Sequence, residues 1–395
     1  MNARLSIAPI VALGVTQIIG YGTLYYAFSI LAPDMARDLT WSVEWIFAAL
    51  SLSLLVGGLT APWFGILIDR YGAGRLMTIG SACAAAALIG CSLAPNKLIF
   101  VGTLVVVEVA ASLVQYGAAF ALLVQLNPAQ AQRSITYLTL IGGFASTVFW
   151  PITAFLETQM SWRSVYLIFA ALNLLVCLPL HAWLARGLAR SRDAIAAGTE
   201  PVIGRLSVTA RPIGFALMIL AFSLQSFVAS AVLIHMVPML AALGLTATAA
   251  IIATVFGPSQ VASRLINMAF GRNLSPVILA TIAAALMSGA VLVLILTAPM
   301  VTGAMAFAVL FGLGNGLFSI VLGTLPLLLF GSEGYGRLQG RVASARLVVS
   351  AAAPFAFAAG MAQIGATWSL GITMALGAGA VVTFLGIGRL MQARG

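Results

Sequence analysis

Three ionisable residues stand deep inside long apolar runs of this sequence: Glu108, Arg264 and Arg346. Placing a charge in such a run is costly even on lenient insertion scales, so each is a candidate for function. Glu108 lies in Val105-Val106-Val107-Glu108-Val109-Ala110-Ala111, and no other acid is that deep. A carboxyl in that setting can take up and release a proton as its surroundings change, which reads as a proton-coupling site. The competing reading is a structural partner for a buried arginine or a neighbouring helix. Ser112 and Gln115 follow at four and seven residues and share a helical face with it. Arg264, in Gln260-Val261-Ala262-Ser263-Arg264-Leu265-Ile266-Asn267, carries a planar fork of donors suited to bidentate recognition of an anionic group. A snorkelling arginine near a helix end is the alternative. Arg346 suits an ion pair or an anion contact, and snorkelling suits it equally well.

Uncharged polar residues add candidates for lining a binding site. Gln17, Tyr21 and Tyr25 recur every four residues, which predicts one helical face whose hydroxyls and amide suit a carboxylate or a hydroxyl. Gln225, Ser226 and Ser230 cluster in a later run, and Asn315 and Ser319 sit at i and i+4 in another. For any one of these, ordinary interhelical hydrogen bonding is the bland alternative. His235 reads as a structural histidine in preference to a pH sensor.

The elements that position these residues follow from composition. The chain has 395 residues, of which 19 are Lys or Arg and 9 are Asp or Glu, or 7% charged against 62% hydrophobic. A soluble domain carries about 25% charge. The mean hydropathy of +1.10 excludes a soluble enzyme or nucleic-acid binder. At about 20 apolar residues per crossing, roughly twelve membrane-spanning helices fit. The runs fall near 8–32, 44–67, 75–94, 98–126, 135–157, 163–185, 212–236, 246–270, 275–297, 300–330, 340–363 and 367–390, with Pro33 and Pro238 read as ending the first and seventh. With the N-terminus in the cytoplasm, fourteen arginines (4, 70, 75, 133, 186, 190, 192, 205, 211, 272, 337, 341, 389 and 394) fall on that side, against Arg37, Lys97 and Arg163 on the other. That asymmetry places both termini in the cytoplasm. The one long polar break predicts an organisation of a six-helix bundle over 1–185, a cytoplasmic linker over 186–211 and a second bundle over 212–395. The five arginines of the linker read as topology and headgroup contacts in preference to a partner site. Cys83, Cys91 and Cys177 read as small buried apolar residues with no bridge.

The halves repeat one another. Gly65-Ile66-Leu67-Ile68-Asp69-Arg70 after the second run faces Asn267-Met268-Ala269-Phe270-Gly271-Arg272 after the eighth, and Arg133 and Pro151 match Arg337 and Pro354. Parallel six-helix repeats build one large transporter architecture. The loop Gly65-x-x-x-Asp69-Arg70-x-Gly72-x-x-Arg75 resembles the signature loop of the major facilitator superfamily, and with the twelve runs the resemblance covers the whole chain. It implies an all-α membrane fold of two pseudo-symmetric six-helix bundles. It also implies a conformational gate of Gly65, Asp69, Arg70 and Arg75, to which we add Arg346. In that superfamily the acid of this loop helps lock the outward-open state. Here Asp69 can meet an arginine or a helix N-terminus, while Gly271 and Asn267 replace the acid and the glycine in the second copy. Within the superfamily, Arg264 is similar to the eighth-helix arginine that binds the substrate carboxylate in monocarboxylate and oxalate/formate-type carriers. Gln260 stands where those carriers have an acid, and their first-helix lysine is replaced by Ile30.

The expected activity is secondary transport of a small organic anion, a monocarboxylate, by alternating access coupled to protons in symport. Arg264, Tyr21, Tyr25, Gln17, Asn315, Gln225 and Gln260 are the expected substrate contacts, and Glu108 is the expected proton site. The alternative is a proton-coupled multidrug or metabolite exporter whose cationic cargo meets Glu108. No nucleotide-binding, metal-ligand or nucleophile motif is present in the sequence, so neither an enzyme nor a cofactor is expected. The expected setting is a bacterial inner membrane, with a monomer as the working unit and no nucleic-acid partner.

Overall fold

The computed structural model describes residues 7–195, 201–271 and 274–392, with the backbone alone for 188–195. Arg4, Arg272 and Arg394, and the side chains of Arg190 and Arg192, lie outside the described residues. Among the described residues, twelve helices are long and apolar enough to cross a membrane. They are α1 (Ile7–Asp38), α2 (Val43–Tyr71), α3 (Ala73–Ser92), α4 (Lys97–Leu126), α5 (Pro128–Gln159) and α6 (Trp162–Gly187). The second set is α7 (Arg211–Leu245), α8 (Ala249–Phe270), α9 (Pro276–Thr297), α10 (Val301–Phe330), α11 (Tyr335–Ile364) and α12 (Ala366–Gln392). Helices satisfy their own backbone polar groups, as lipid requires.

Starts are marked by side-chain caps. Asn96 accepts from Ile99 N at 3.0 Å, Ser161 from Ser164 N and Ser275 from Ile278 N, the last followed by Pro276 in the first turn. The prolines behave differently from the sequence expectation: Pro33 and Pro238 lie inside α1 and α7, which run on to Asp38 and Leu245. In long membrane helices a proline's lost hydrogen bond is compensated locally, so it does not end the helix.

Several helices depart from regular α geometry. A π-helical turn occupies Gly22–Tyr26 in α1 and another Asn173–Cys177 in α6. A third, Ala241–Leu245, ends α7 through Gly244 at φ 87°. In α4 the helix breaks at Gln115, whose backbone is extended, and restarts at Tyr116. In α5 it loosens between Gly142 and Ala145.

The described chain divides into two compact units. The first is Met1–Ile203 with Ser332–Ser344, and the second is Gly204–Gly331 with Ala345–Gly395. In the first, α1 packs on α5, where a Cβ on Gly14 would strike Ile141 and one on Gly22 would strike the Phe149 ring. Gly57 of α2 lies against the Glu108 backbone, and Gly80 of α3 against Leu113 and Val114. At one end, Trp162 Nε1 and Arg163 Nε donate to Asp38 Oδ2 at 3.0 and 2.8 Å, and Arg163 Nη1 donates to the carbonyls of Ser92 and Ala94. One arginine thus ties the ends of α1, α3 and α6. In the second unit, Gly312 and Gly316 of α10 meet α8 and Gly314 meets α9. Val228, Met239, Met287, Val291, Phe307 and Phe311 are among the residues of its apolar core. Small residues let such helices approach closely. Cys91 and Cys177 are buried as expected, whereas Cys83 is exposed on α3, since that helix presents one face outward.

Candidate functional site

In the first unit the candidate polar residues gather where α1 and α4 lose regularity. Gln17 is buried at 1% exposure, and its Nε2 donates to Val114 O at 2.7 Å. Val114 is the last residue before the α4 break, so its carbonyl has lost its helical donor and the amide replaces it. The other amide atom, Oε1, is buried with no hydrogen-bond partner. Tyr21 does not align with Tyr25 as a four-residue spacing predicts. The π turn adds a residue to the repeat, and the ring five residues on, Tyr26, lies 6.4 Å from that of Tyr21. Tyr21 also packs on Tyr116 at 4.8 Å, Tyr26 packs edge-on against Trp150, and Tyr116 stacks on Phe120. Tyr25, 44% exposed, meets the Tyr26 ring edge-on at 5.3 Å. Glu108 is 7% exposed, and its Oε1 is buried without a partner. Ser112 donates to the Glu108 carbonyl at 3.3 Å, so the polar stripe serves the backbone, and Gln115 is the break itself.

In the second unit Arg264 is buried at 4% exposure and held on three sides. Its Nε donates to Ser319 Oγ at 3.1 Å and to Gly316 O at 3.3 Å, and its Nη2 donates to Gln260 Oε1 at 3.3 Å. Ser319 in turn donates to Gly316 O at 2.7 Å. The remaining nitrogen, Nη1, is buried with no partner. The ion pairs of Arg37 with Asp34 and of Arg163 with Asp38 lie elsewhere in the first unit, and among the described residues no carboxylate pairs with Arg264. The geometry selects Ser319, not Asn315, as its α10 partner; Asn315 is half-buried one turn away. Gln225 is fully buried and donates to Met287 Sδ, with its Oε1 unpartnered. Arg346 Nε donates to Ser226 Oγ at 3.1 Å, and Ser230 donates to Ser350 O at 3.0 Å, so both serines bridge α7 to α11. His235 Nδ1 meets Ala231 O at 3.1 Å, one turn back on its own helix.

The loop after α2 is built for one contact within the first unit. Asp69 Oδ1 and Oδ2 accept from the backbone N–H groups of Gly336 and Arg337, each at 2.8 Å. These are among the first N–H groups of α11, which have no intrahelical acceptor and carry the positive end of the helix dipole. Close approach is required: a Cβ on Gly65 would meet Gly336 O, and one on Gly340 would meet Ala61 O. Arg70 lies over the Tyr71 ring, and Arg75 is exposed at the start of α3.

The profile of the Major Facilitator Superfamily matches residues 13–354. The chain belongs to this superfamily. No curated protein matches it. Solved superfamily structures share the fold. One is a proton:xylose symporter, XylE, bound to 6-bromo-6-deoxy-D-glucose (TM-score 0.76, 14% identity, 96% of this chain and 95% of that one). Another is the human organic anion transporter MFSD10 (0.71, 15%, 96% and 98%). A third is FucP in the outward conformation (0.67, 12%, 96% and 98%). The chain is thus an all-α multi-pass membrane transporter of the superfamily and not an enzyme.

Against that assignment, the residues that counting missed become clear. Tyr26 and Tyr116 escaped because their placement depends on a π turn and a helix break, which a fixed 3.6-residue period does not show. Asn173 escaped because it reads as one polar residue in an apolar run. Gly336 and Gly340 had a signal: four-residue spacing of small residues after a loop, on the half of the sequence opposite the superfamily loop.

Proposed function

We propose that this superfamily member carries a small organic anion, a monocarboxylate, by alternating access coupled to protons. Arg264 carries the reading. A buried guanidinium without a carboxylate is costly to keep. Here it is oriented by Ser319, Gly316 and Gln260 and keeps one buried donor open. An anion supplied from outside the chain completes it. Gln260, Gln225, Asn315, Gln17, Tyr21 and Tyr25 are proposed as further substrate contacts, with Tyr26 joining them. Glu108 is the proposed proton site, since its buried oxygen has no partner among the described residues. Asp69, Gly65, Arg70, Arg75 and Arg346 are the proposed gate, resting on the Asp69 contact with the α11 N-terminus. The proposed setting is a bacterial inner membrane, with both termini cytoplasmic, a bundle on each side of a 186–211 linker, and a monomer as the working unit.

The test is uptake of radiolabelled monocarboxylates into proteoliposomes under an imposed pH gradient. Arg264→Ala is expected to lower apparent affinity by about tenfold or more, the value of a charge-assisted pair. Carboxylate transport by Arg264→Ala at the wild-type rate and affinity removes the anion assignment. Loss of resistance to amphiphilic cations in Glu108→Gln cells, without carboxylate flux in the parent protein, would favour export of cations instead.

A further inference from the structure

The π turns of α1 and α6 are joined. Asn173 Nδ2 donates to Thr23 Oγ1 at 3.0 Å and to Phe169 O, four residues back, at 2.9 Å. Thr23 Oγ1 donates to Ile19 O, also four residues back, at 2.8 Å. Both residues are buried, at 1% and 2% exposure. The same device therefore stands at both places. A widened turn pairs its backbone five residues apart, which weakens the claim of the usual donor on the carbonyl four back. In each helix a polar side chain serves that carbonyl, and the two side chains then bond to each other. On the other side of the α1 turn, Gly22 leaves no room for a Cβ against Phe149, and Phe149 packs on Phe169, one turn before Asn173. The α1 turn is thus gripped from α5 and from α6.

We propose that Asn173 is a positioning residue for transport: by bonding Thr23 it holds the π register of α1 and so selects which tyrosine stands beside Tyr21. In the π register that ring is Tyr26, which also packs on Trp150. In a regular α-helix the ring one turn on from Tyr21 is Tyr25, so losing the π turn moves Tyr25 by about 100° to where Tyr26 is now and turns Tyr26 on to the buried place that Ala27 now holds. Specificity in α1 is then set from a helix that supplies no substrate contact of its own. The inference rests on the reading that α1 tyrosines meet the substrate.

The experiment separates register from transport. In a Cys83→Ser background, single cysteines at 25 and 26 are titrated with a membrane-permeant maleimide, with Asn173 intact and with Asn173→Leu. With Asn173 intact, position 25 labels faster. In Asn173→Leu position 25 slows toward the rate that position 26 has with Asn173 intact, and Thr23→Val slows it too, while Thr23→Ser keeps it fast. Thr23→Val also serves where Asn173→Leu does not fold. In proteoliposome counterflow, Asn173→Leu and Thr23→Val raise KM several-fold at a near-constant maximal rate, Thr23→Ser restores KM, and the double variant is no worse than either single one. An unchanged labelling rate at position 25 in both variants overturns the register claim. Slowed labelling at position 25 with unchanged KM overturns the positioning role, and it removes the α1 tyrosines from the substrate site while leaving Arg264 to its own test.

Discussion

The two units each bury one ionisable side chain among the candidates, and they treat it in opposite ways. Arg264 is wrapped by Ser319, Gly316 and Gln260, with one nitrogen spare. Glu108 has no hydrogen-bonded side-chain partner for its buried Oε1, and even its neighbour Ser112 bonds to the backbone carbonyl instead. A guanidinium cannot shed its charge, so it is held in place, and the proposed reading has an anion complete it. A carboxyl can change its charge, and a bare one is free to do so within a transport cycle. On the proposed function, the second unit orients and binds the anion and the first cycles charge.

Arg264→Lys should break this contrast most sharply. The charge stays, but the fork that meets Ser319 and Gln260 is lost, so affinity for a carboxylate falls by about tenfold or more. Competition of cold substrate with labelled uptake reads the change. A lysine variant with wild-type affinity would show that charge alone matters and that the wrapping is incidental. Glu108→Gln comes next: accumulation driven by a pH gradient is lost, while exchange of labelled for unlabelled substrate persists at a comparable rate. If both modes die together, Glu108 serves packing beside Gly57, not charge cycling.

The loops show the same asymmetry in milder form. After α2, Asp69 caps the start of α11 with two 2.8 Å bonds. After α8, Asn267 Oδ1 is buried without a partner, against Gly271. Asp69→Ala removes two charge-assisted bonds of about 1.5–3 kcal/mol each at most, discounted for partial exposure. The expected outcome is a several-fold slower transport cycle, with faster labelling of a cysteine placed at Ala61, under Gly340. Asn267→Ala should stay within about twofold of wild type, because its buried Oδ1 has no hydrogen-bond partner among the described residues. Equal effects from the two would make the second loop a gate as well.

What the sequence made legible was whatever depends on composition and regular period. The twelve apolar runs, the loop from Gly65 to Arg75 and the three ionisable residues inside the runs all came from counting. What stayed hidden was irregular backbone. Gln115 breaks α4 although no proline or glycine occupies that position, and the carbonyl freed at Val114 is met by Gln17, ninety-seven residues before Val114. The π turns carry no composition mark, so Tyr25 was paired with Tyr21 where the chain pairs Tyr26. Pro33 and Pro238 erred the other way, since rules for helix ends in water overstate a proline in lipid. Ser319 was visible as a polar residue, yet only the packing of α10 on α8 at Gly316 decides between it and Asn315.

A smaller effect than that of Arg264→Lys is predicted at Gln260, the neutral residue one turn before Arg264. Its Oε1 accepts from Arg264 Nη2 at 3.3 Å, so it orients the arginine without neutralising it. Gln260→Glu would place a carboxylate at i, i+4 from the guanidinium, in contact with it. An ionised glutamate then competes with the substrate anion, and a protonated one does not. KM should therefore rise about threefold near neutral pH and return toward wild type in acid, since protonation frees the arginine. Counterflow measured at two pH values, against wild type at the same two values, reads the difference. A variant whose KM ratio to wild type is the same at both pH values would mean that Gln260 does not tune Arg264, and the wrapping of that arginine would then rest on Ser319 and Gly316 alone.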